Sequence, residues 1–295
     1  MKSTNVRLIV ALAVLGAARE LWAGEDKATA SYNRGVRFEQ AGRHEEAVLA
    51  YRQAIRKRPQ FAEAHVNLGV QLARRGRWLQ AQEAFDVAVR LAPDSFEAHH
   101  NRGLALAEQG RHREAQAAFE RALSIEPASV KTLQAFGTVL LFQGRSTDAV
   151  TVLSRAVASD PQAAEAHYNL GVAQARLGRG EAAITSYRAS IRSKPDSAEA
   201  WDGLGIVLAK LGRHEEALPS FDEAIRLRPS FEEARFNRAV SFAALRRTGE
   251  AILECREVIR LRPGLSAAHV LLGNALAALG SGVTATEDPA PEAAR

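Results

Sequence analysis

The sequence predicts an all-α solenoid of seven helix–turn–helix units followed by one capping helix. Three observations carry this reading. Seven prolines (Pro59, Pro93, Pro127, Pro161, Pro195, Pro229 and Pro263) stand 34 residues apart without exception. Two glycine columns keep step with them: Gly35, Gly69, Gly103, Gly137, Gly171 and Gly205, then Gly42, Gly76, Gly110, Gly144, Gly178 and Gly212. Between glycine and proline runs an alanine–ring–alanine pattern, as in Ala115, Phe119 and Ala122. A fixed period of this length marks one small supersecondary unit stacked many times. Such an array offers a long modular surface rather than one pocket.

Each element has a local reason. Before and after the first glycine, apolar residues fall at helical spacing, as in Leu68, Val70, Leu72 and Ala73. The second glycine ends that helix, because glycine takes the left-handed cap conformation without steric cost. A second helix then opens on acids (Glu45, Glu46, Glu114, Asp148, Glu181, Glu215, Glu216, Glu250), which suit the positive end of its dipole. Ala47, Ala81, Ala115, Ala149, Ala183, Ala217 and Ala251 form an unbroken column. Four residues on, and so on the same face, stand Tyr51, Phe85, Phe119, Leu153, Tyr187, Phe221 and Cys255. Proline closes the unit by pushing its predecessor out of the helical region. The seventh unit is worn, with Ala239 and Arg246 on the two glycine columns.

The period and the Gly–Gly–Ala–ring–Ala–Pro order closely resemble tetratricopeptide repeats. The resemblance covers residues 28–265, as units 28–61, 62–95, 96–129, 130–163, 164–197, 198–231 and 232–265. One departure is the place four before the first glycine, tryptophan in many family members. Here only Trp201 matches, with Ser31, His65, His99, Leu133, His167, Arg235 and His269 elsewhere. Residues 266–280 repeat the first-helix pattern once more and are expected to cap the array. Their leucines could leave an apolar patch for self-association. Residues 281–295 read as a disordered tail.

Composition narrows the class. The 46% hydrophobic and 25% charged residues suit an ordered soluble protein. The net charge of +5 is small against 39 basic and 34 acidic residues, so charge alone implies no nucleic-acid partner. Cys255 is the only cysteine, which excludes an internal disulfide. Lys2 and Arg7 precede an apolar run at 8–18, too short to span a bilayer. Residues 1–23 therefore read as a secretory signal, with export to the periplasm or medium expected; a retained membrane anchor is the alternative.

The resemblance implies a right-handed superhelix with first helices on its concave wall. Two columns fall there. Two before the first glycine stand Asn33, Asn67, Asn101, Asn169 and Asn237; four residues earlier stand Glu63, Glu97, Glu165, Glu199 and Glu233. Asparagine is a poor helix former, and its amide both donates and accepts. The column resembles the asparagine ladder of the O-linked N-acetylglucosamine transferase repeats, which implies binding of an extended peptide. The alternative is that each asparagine bonds a neighbouring group between repeats. The acids would favour a Lys- or Arg-bearing peptide; the alternative is a solvated first turn. In the fourth unit Ala135 and Lys131 interrupt both columns, and Leu141 with Phe142 brings apolar bulk. With Tyr168, Phe142 is a candidate anchor. The clamp that some family members use for a C-terminal carboxylate is not expected, since Thr29 and Glu97 stand where lysines belong.

Other signals are weaker. Arg43, Arg77, Arg111, Arg145, Arg179, Arg213 and Arg247 follow every second glycine. Such a stripe could track nucleic acid or an anionic glycan; capping of last-turn carbonyls is the alternative. His65 and His99 lie one unit apart, too far to share a metal. No phosphate loop, nucleophile elbow or paired-carboxylate motif emerges. The expectation is a non-enzymatic scaffold for a protein or peptide partner, with no cofactor or metal.

Overall fold

The computed structural model describes residues 27–284, and every regular element among them is an α-helix. Helix α1 covers residues 27–40. Then follow α2 (His44–Lys57), α3 (Ala62–Ala73), α4 (Trp78–Leu91), α5 (Phe96–Glu108), α6 (His112–Ile125) and α7 (Val130–Phe142). The rest are α8 (Ser146–Ser159), α9 (Ala164–Arg176), α10 (Gly180–Ser193), α11 (Ala198–Lys210), α12 (His214–Leu227), α13 (Glu232–Ala244), α14 (Thr248–Leu261) and α15 (Ser266–Thr284). Two compact units divide between Val139 and Leu140, inside α7.

Odd-numbered helices are the first helices, and α1, α3, α5, α9 and α11 each pack on the even-numbered helix after them through one device, a ring set on a glycine. A Cβ placed on Gly103 of α5 would lie 2.5 Å from the Phe119 ring of α6; on Gly205 of α11, 2.6 Å from the Phe221 ring of α12. The ring therefore rests directly on the glycine Cα. Phe119 and Phe221 are fully buried, and burial of a phenylalanine contributes about 2–3 kcal/mol. The alanine column is 0% exposed from Ala47 to Ala251, so nothing larger than a methyl fits where the helices cross.

The turns are equally uniform. Gly110 has φ 72°, the left-handed region. The Arg111 N–H reaches back to the Leu106 carbonyl at 2.9 Å, and the Gly110 N–H to Ala107 at 2.9 Å, a Schellman closure. In the worn seventh unit Arg246 takes φ 58°, and the Arg247 N–H still reaches Phe242 at 2.9 Å. The turn survives loss of its glycine at a cost of about 1–2 kcal/mol.

Helix α15 runs four residues past the expected boundary at 280, so residues 281–284 are helical rather than tail. The expected signal at 1–23 and the remaining tail at 285–295 lie outside the described residues. Among the described residues no helix is long and apolar enough to cross a membrane.

Candidate functional site

Every asparagine of the column lies on a first helix, two residues before the glycine or alanine that receives the second helix. In the unit up to Val139, Asn33 is exposed and Asn67 and Asn101 are half-buried. In the unit from Leu140, Asn169 is buried and Asn237 half-buried. The amides are partly engaged within the fold. Asn67 Nδ2 donates to the Tyr32 hydroxyl at 3.0 Å. Asn237 Nδ2 donates to Asp202 Oδ1 at 3.1 Å. Both acceptors sit 35 residues earlier, on the preceding first helix. Asn101 has Val66 at that place, which accepts nothing, and donates instead to its own Glu97 carbonyl at 2.9 Å. The bond to a neighbouring repeat is thus real at Asn67 and Asn237, and made to side chains rather than backbone. Asn67 Nδ2 also reaches the Tyr51 hydroxyl at 3.5 Å.

This pairing exposes a column that the sequence reading passed over, three residues before the first glycine: Tyr32, Val66, His100, Gln134, Tyr168, Asp202 and Phe236. Asp202 is its one acid and only 8% exposed. Burial pushes its carboxyl up to about 6; Glu233 and Glu199 push the same way, against the Asn237 hydrogen bond. The one carboxylate in a column of aromatic, aliphatic, imidazole and amide side chains was the available signal.

Glu63, Glu97 and Glu165 are exposed and enter no salt bridge among the described residues. Glu199 pairs with Arg228, and Glu233 lies 3.4 Å from Arg262. The column is therefore open in its earlier members and neutralised in its last two. Phe142, at the end of α7, is 75% exposed, whereas Leu141 is buried at 7% and belongs to the core rather than to the wall. Arg176 of α9 donates to the Leu141 carbonyl at 2.6 Å, beside Phe142. Tyr168 is half-buried, its ring 5.9 Å from that of Tyr187. Burial, then Glu199 and Asp202, raises its phenol. Phe142 is thus exposed, and Tyr168 is largely committed to packing.

Five side chains of the arginine stripe pair with an acid on the helix that follows. Arg43, Arg111, Arg145 and Arg213 reach forward to the acid three residues on, Glu46, Glu114, Asp148 and Glu216, at 2.6–2.8 Å. Arg247 pairs likewise with Glu250. Their backbone N–H groups reach back to the preceding helix, while the side chain stands at the start of the next helix, with an acid one turn ahead. Hydrogen bonds from these arginines hold Glu46, Glu114, Glu216 and Glu250 below the usual carboxylate range. Among the described residues no three His, Cys, Asp or Glu side chains converge as metal ligands.

Comparison with known families agrees with this geometry. Models described as tetratricopeptide repeat match residues 60–128, 106–163, 135–198, 175–230 and 203–266, and a TPR repeat model matches 35–76. No curated protein matches the chain. Among solved structures, YrrB, a TPR protein with an unusual peptide-binding site, is 25% identical, with 63% of this chain and 95% of YrrB covered and a TM-score of 0.55. MamA 41-end from Desulfovibrio magneticus RS-1 is also 25% identical, covering 58% and 96%, with a TM-score of 0.54. PilF of Pseudomonas aeruginosa is 18% identical, covering 72% and 97%, with a TM-score of 0.64, and shows the fold alone.

Proposed function

The chain belongs to the tetratricopeptide repeat family, and from that premise we propose that it is a non-enzymatic scaffold whose first helices hold an extended segment of a partner protein. The observation that carries this is the recurrence of an amide and an acid, one helical turn apart, along the first helices. Residues four apart share a helix face, so the second, third, fifth and seventh units present the same pair of groups, Glu63 with Asn67, Glu97 with Asn101, Glu165 with Asn169 and Glu233 with Asn237. Amides spaced in this way match the repeating donors and acceptors of a main chain, with little demand on its sequence. Glu63, Glu97 and Glu165 favour lysine or arginine in that segment. Phe142 offers a ring for one apolar side chain. YrrB, described by its peptide-binding site, supports the same use of the fold.

The test is binding of extended Lys/Arg-containing peptides from an array, compared with acidic peptides of equal length. Changing Asn67, Asn101 and Asn169 together to alanine is expected to weaken binding by about 0.5–1.5 kcal/mol per lost bond while the helical signal stays intact. Affinity that ignores both the peptide charge and the triple change removes the groove reading. We propose further that residues 1–23 direct export. Mass spectrometry of the protein from its native host, with those residues still present, would refute cleavage.

A further inference from the structure

Tyr51 in α2 and Tyr187 in α10 hold the same place four units apart, as do Tyr32 and Tyr168 beside them. The ring centroids lie 5.7 Å apart in the first pair and 5.9 Å in the second. The two buried hydroxyls differ. That of Tyr51 donates to Glu39 at 2.9 Å and has Asn67 Nδ2 at 3.5 Å. Four units on, the places of Glu39 and Asn67 hold Ala175 and Gly203, which carry no polar side chain. Tyr187 is 4% exposed, and its hydroxyl makes no hydrogen bond among the described residues. The ring also leans. A Cβ on Gly171 of α9 would lie 3.0 Å from it, against 2.5–2.6 Å for the rings at Gly35, Gly69, Gly103 and Gly205. A Cβ on Gly203 of α11 would lie 2.7 Å from the same ring and 3.1 Å from its hydroxyl. The hydroxyl therefore emerges beside α11, at the place where Asn67 carries its amide.

Asp202 stands next to Gly203 and close enough to both phenols to raise them. Its carboxylate is buried and enters no salt bridge among the described residues. The neighbouring cations are engaged elsewhere: Arg228 with Glu199, Arg262 with Glu233, and Arg176 with the Leu141 carbonyl. Asn237 takes Oδ1 and leaves Oδ2 open. A buried carboxylate without a cation is costly, and an unbonded hydroxyl beside it adds to that cost. We propose that Asp202 and the Tyr187 hydroxyl, flanked by Tyr168, form a subsite for a primary ammonium group, supplied by a lysine side chain of the bound segment. The lysine source rests on the extended-peptide reading. An ammonium is a compact charge with three donors, and Oδ2 and the hydroxyl each accept one. A guanidinium fork asks for both carboxylate oxygens, and Oδ1 is taken.

The experiment uses the full chain and two probes. One is the tightest lysine peptide of the array, fluorescein-labelled, beside its arginine and Nε-acetyl-lysine counterparts. The other is n-butylammonium chloride, read by the NMR resonance of the Asp202 carboxyl carbon. The lysine peptide is expected to bind about tenfold or more tighter than the acetyl-lysine peptide, since a desolvated charge pair dominates such a contact, and tighter than the arginine peptide. Asp202→Asn and Tyr187→Phe should each bring the ratio of lysine to acetyl-lysine affinity towards one. Circular dichroism should stay unchanged, because Asp202→Asn keeps an acceptor for Asn237 and Tyr187→Phe removes a hydroxyl that bonds nothing. A lysine preference that survives in both variants overturns the subsite and leaves the extended-peptide reading standing. If no peptide binds but n-butylammonium shifts the Asp202 resonance in the parent and not in Tyr187→Phe, the ammonium site stands and the extended-peptide reading falls. No response to either probe overturns both.

Discussion

The indole N–H of Trp201 donates to the Pro195 carbonyl oxygen, 2.9 Å away and six residues earlier. The same bond recurs where tryptophan is absent. His65, His99, His167 and His269 present Nε2 to the carbonyls of Pro59, Pro93, Pro161 and Pro263 at 2.9–3.1 Å, and Arg235 presents Nε to Pro229 at 3.2 Å. Histidine in this column is therefore a conservative choice, since it keeps a ring-borne N–H at the right reach. The carbonyl only accepts, so the proton must sit on Nε2. The proline that ends one unit is thereby tied to the first helix of the next.

From this follows a stability test. His99 is buried at 7% exposure. His99→Leu keeps its bulk but orphans the Pro93 carbonyl and should cost about 1–3 kcal/mol, whereas His99→Trp should retain the bond. Urea melts of the two variants separate the outcomes; equal stability would contradict the role assigned to the N–H.

Glycine contacts give a paired prediction. Gly103→Val drives a side chain into the Phe119 ring, which is fully buried and cannot swing away. Overpacking of this kind costs about 1–3 kcal/mol. A melting temperature equal to the parent's would break the register on which the fold rests.

The seventh turn should be improvable. Arg246 holds a positive φ of 58°, and Arg246→Gly should raise stability by about 1 kcal/mol by removing the left-handed penalty. Thermal melting reads this directly. No gain would mean that the Arg246 side chain offsets the strain.

Two buried groups give opposite pH dependences. Burial, then Lys131, pushes His100 down to about 4. Its imidazole Nδ1 lies 2.9 Å from the Thr132 hydroxyl. Unfolded His100 binds a proton near its ordinary pH 6.5, before the folded state does. Its stabilising effect is therefore complete above that pH and lost as pH falls towards 4, by up to about 3 kcal/mol. Asp202, raised to about 6, behaves in the reverse sense. Its contribution is fullest below the ordinary pH 3.8 and is lost as pH rises through 6. Asp202→Asn, which can still accept from Asn237, should thus be more stable than the parent at pH 7. It should differ little from the parent at pH 3.5. The groups nearest Asp202 are Glu199, Glu233, Tyr168 and Asn237, with Arg228 and Arg262 held by the two glutamates. Urea titrations from pH 3.5 to 8 check both signs.

Much of the fold was legible because glycine, alanine and proline act through local geometry. A left-handed turn, a close helix crossing and a helix stop each demand one small or rigid residue, and these recur every 34 positions. The candidate wall was legible only as columns. Asn67 and Asn101 look alike in the sequence, yet one reaches Tyr32 in the preceding unit and the other its own helix. The residue that decides between them is 35 positions earlier. Phe142 and Leu141 are adjacent and similar, and only packing shows that one is exposed and the other is core.

The sequence by itself determined the unit, its period, its turns and the face on which each recurring residue stands, because these depend on steric limits that act within a few residues. The tertiary structure decided which amides are engaged, why histidine replaces tryptophan, and that Asp202 is buried. Those outcomes depend on side chains brought together from different helices, where burial and the presence or absence of a neighbouring acceptor set the result.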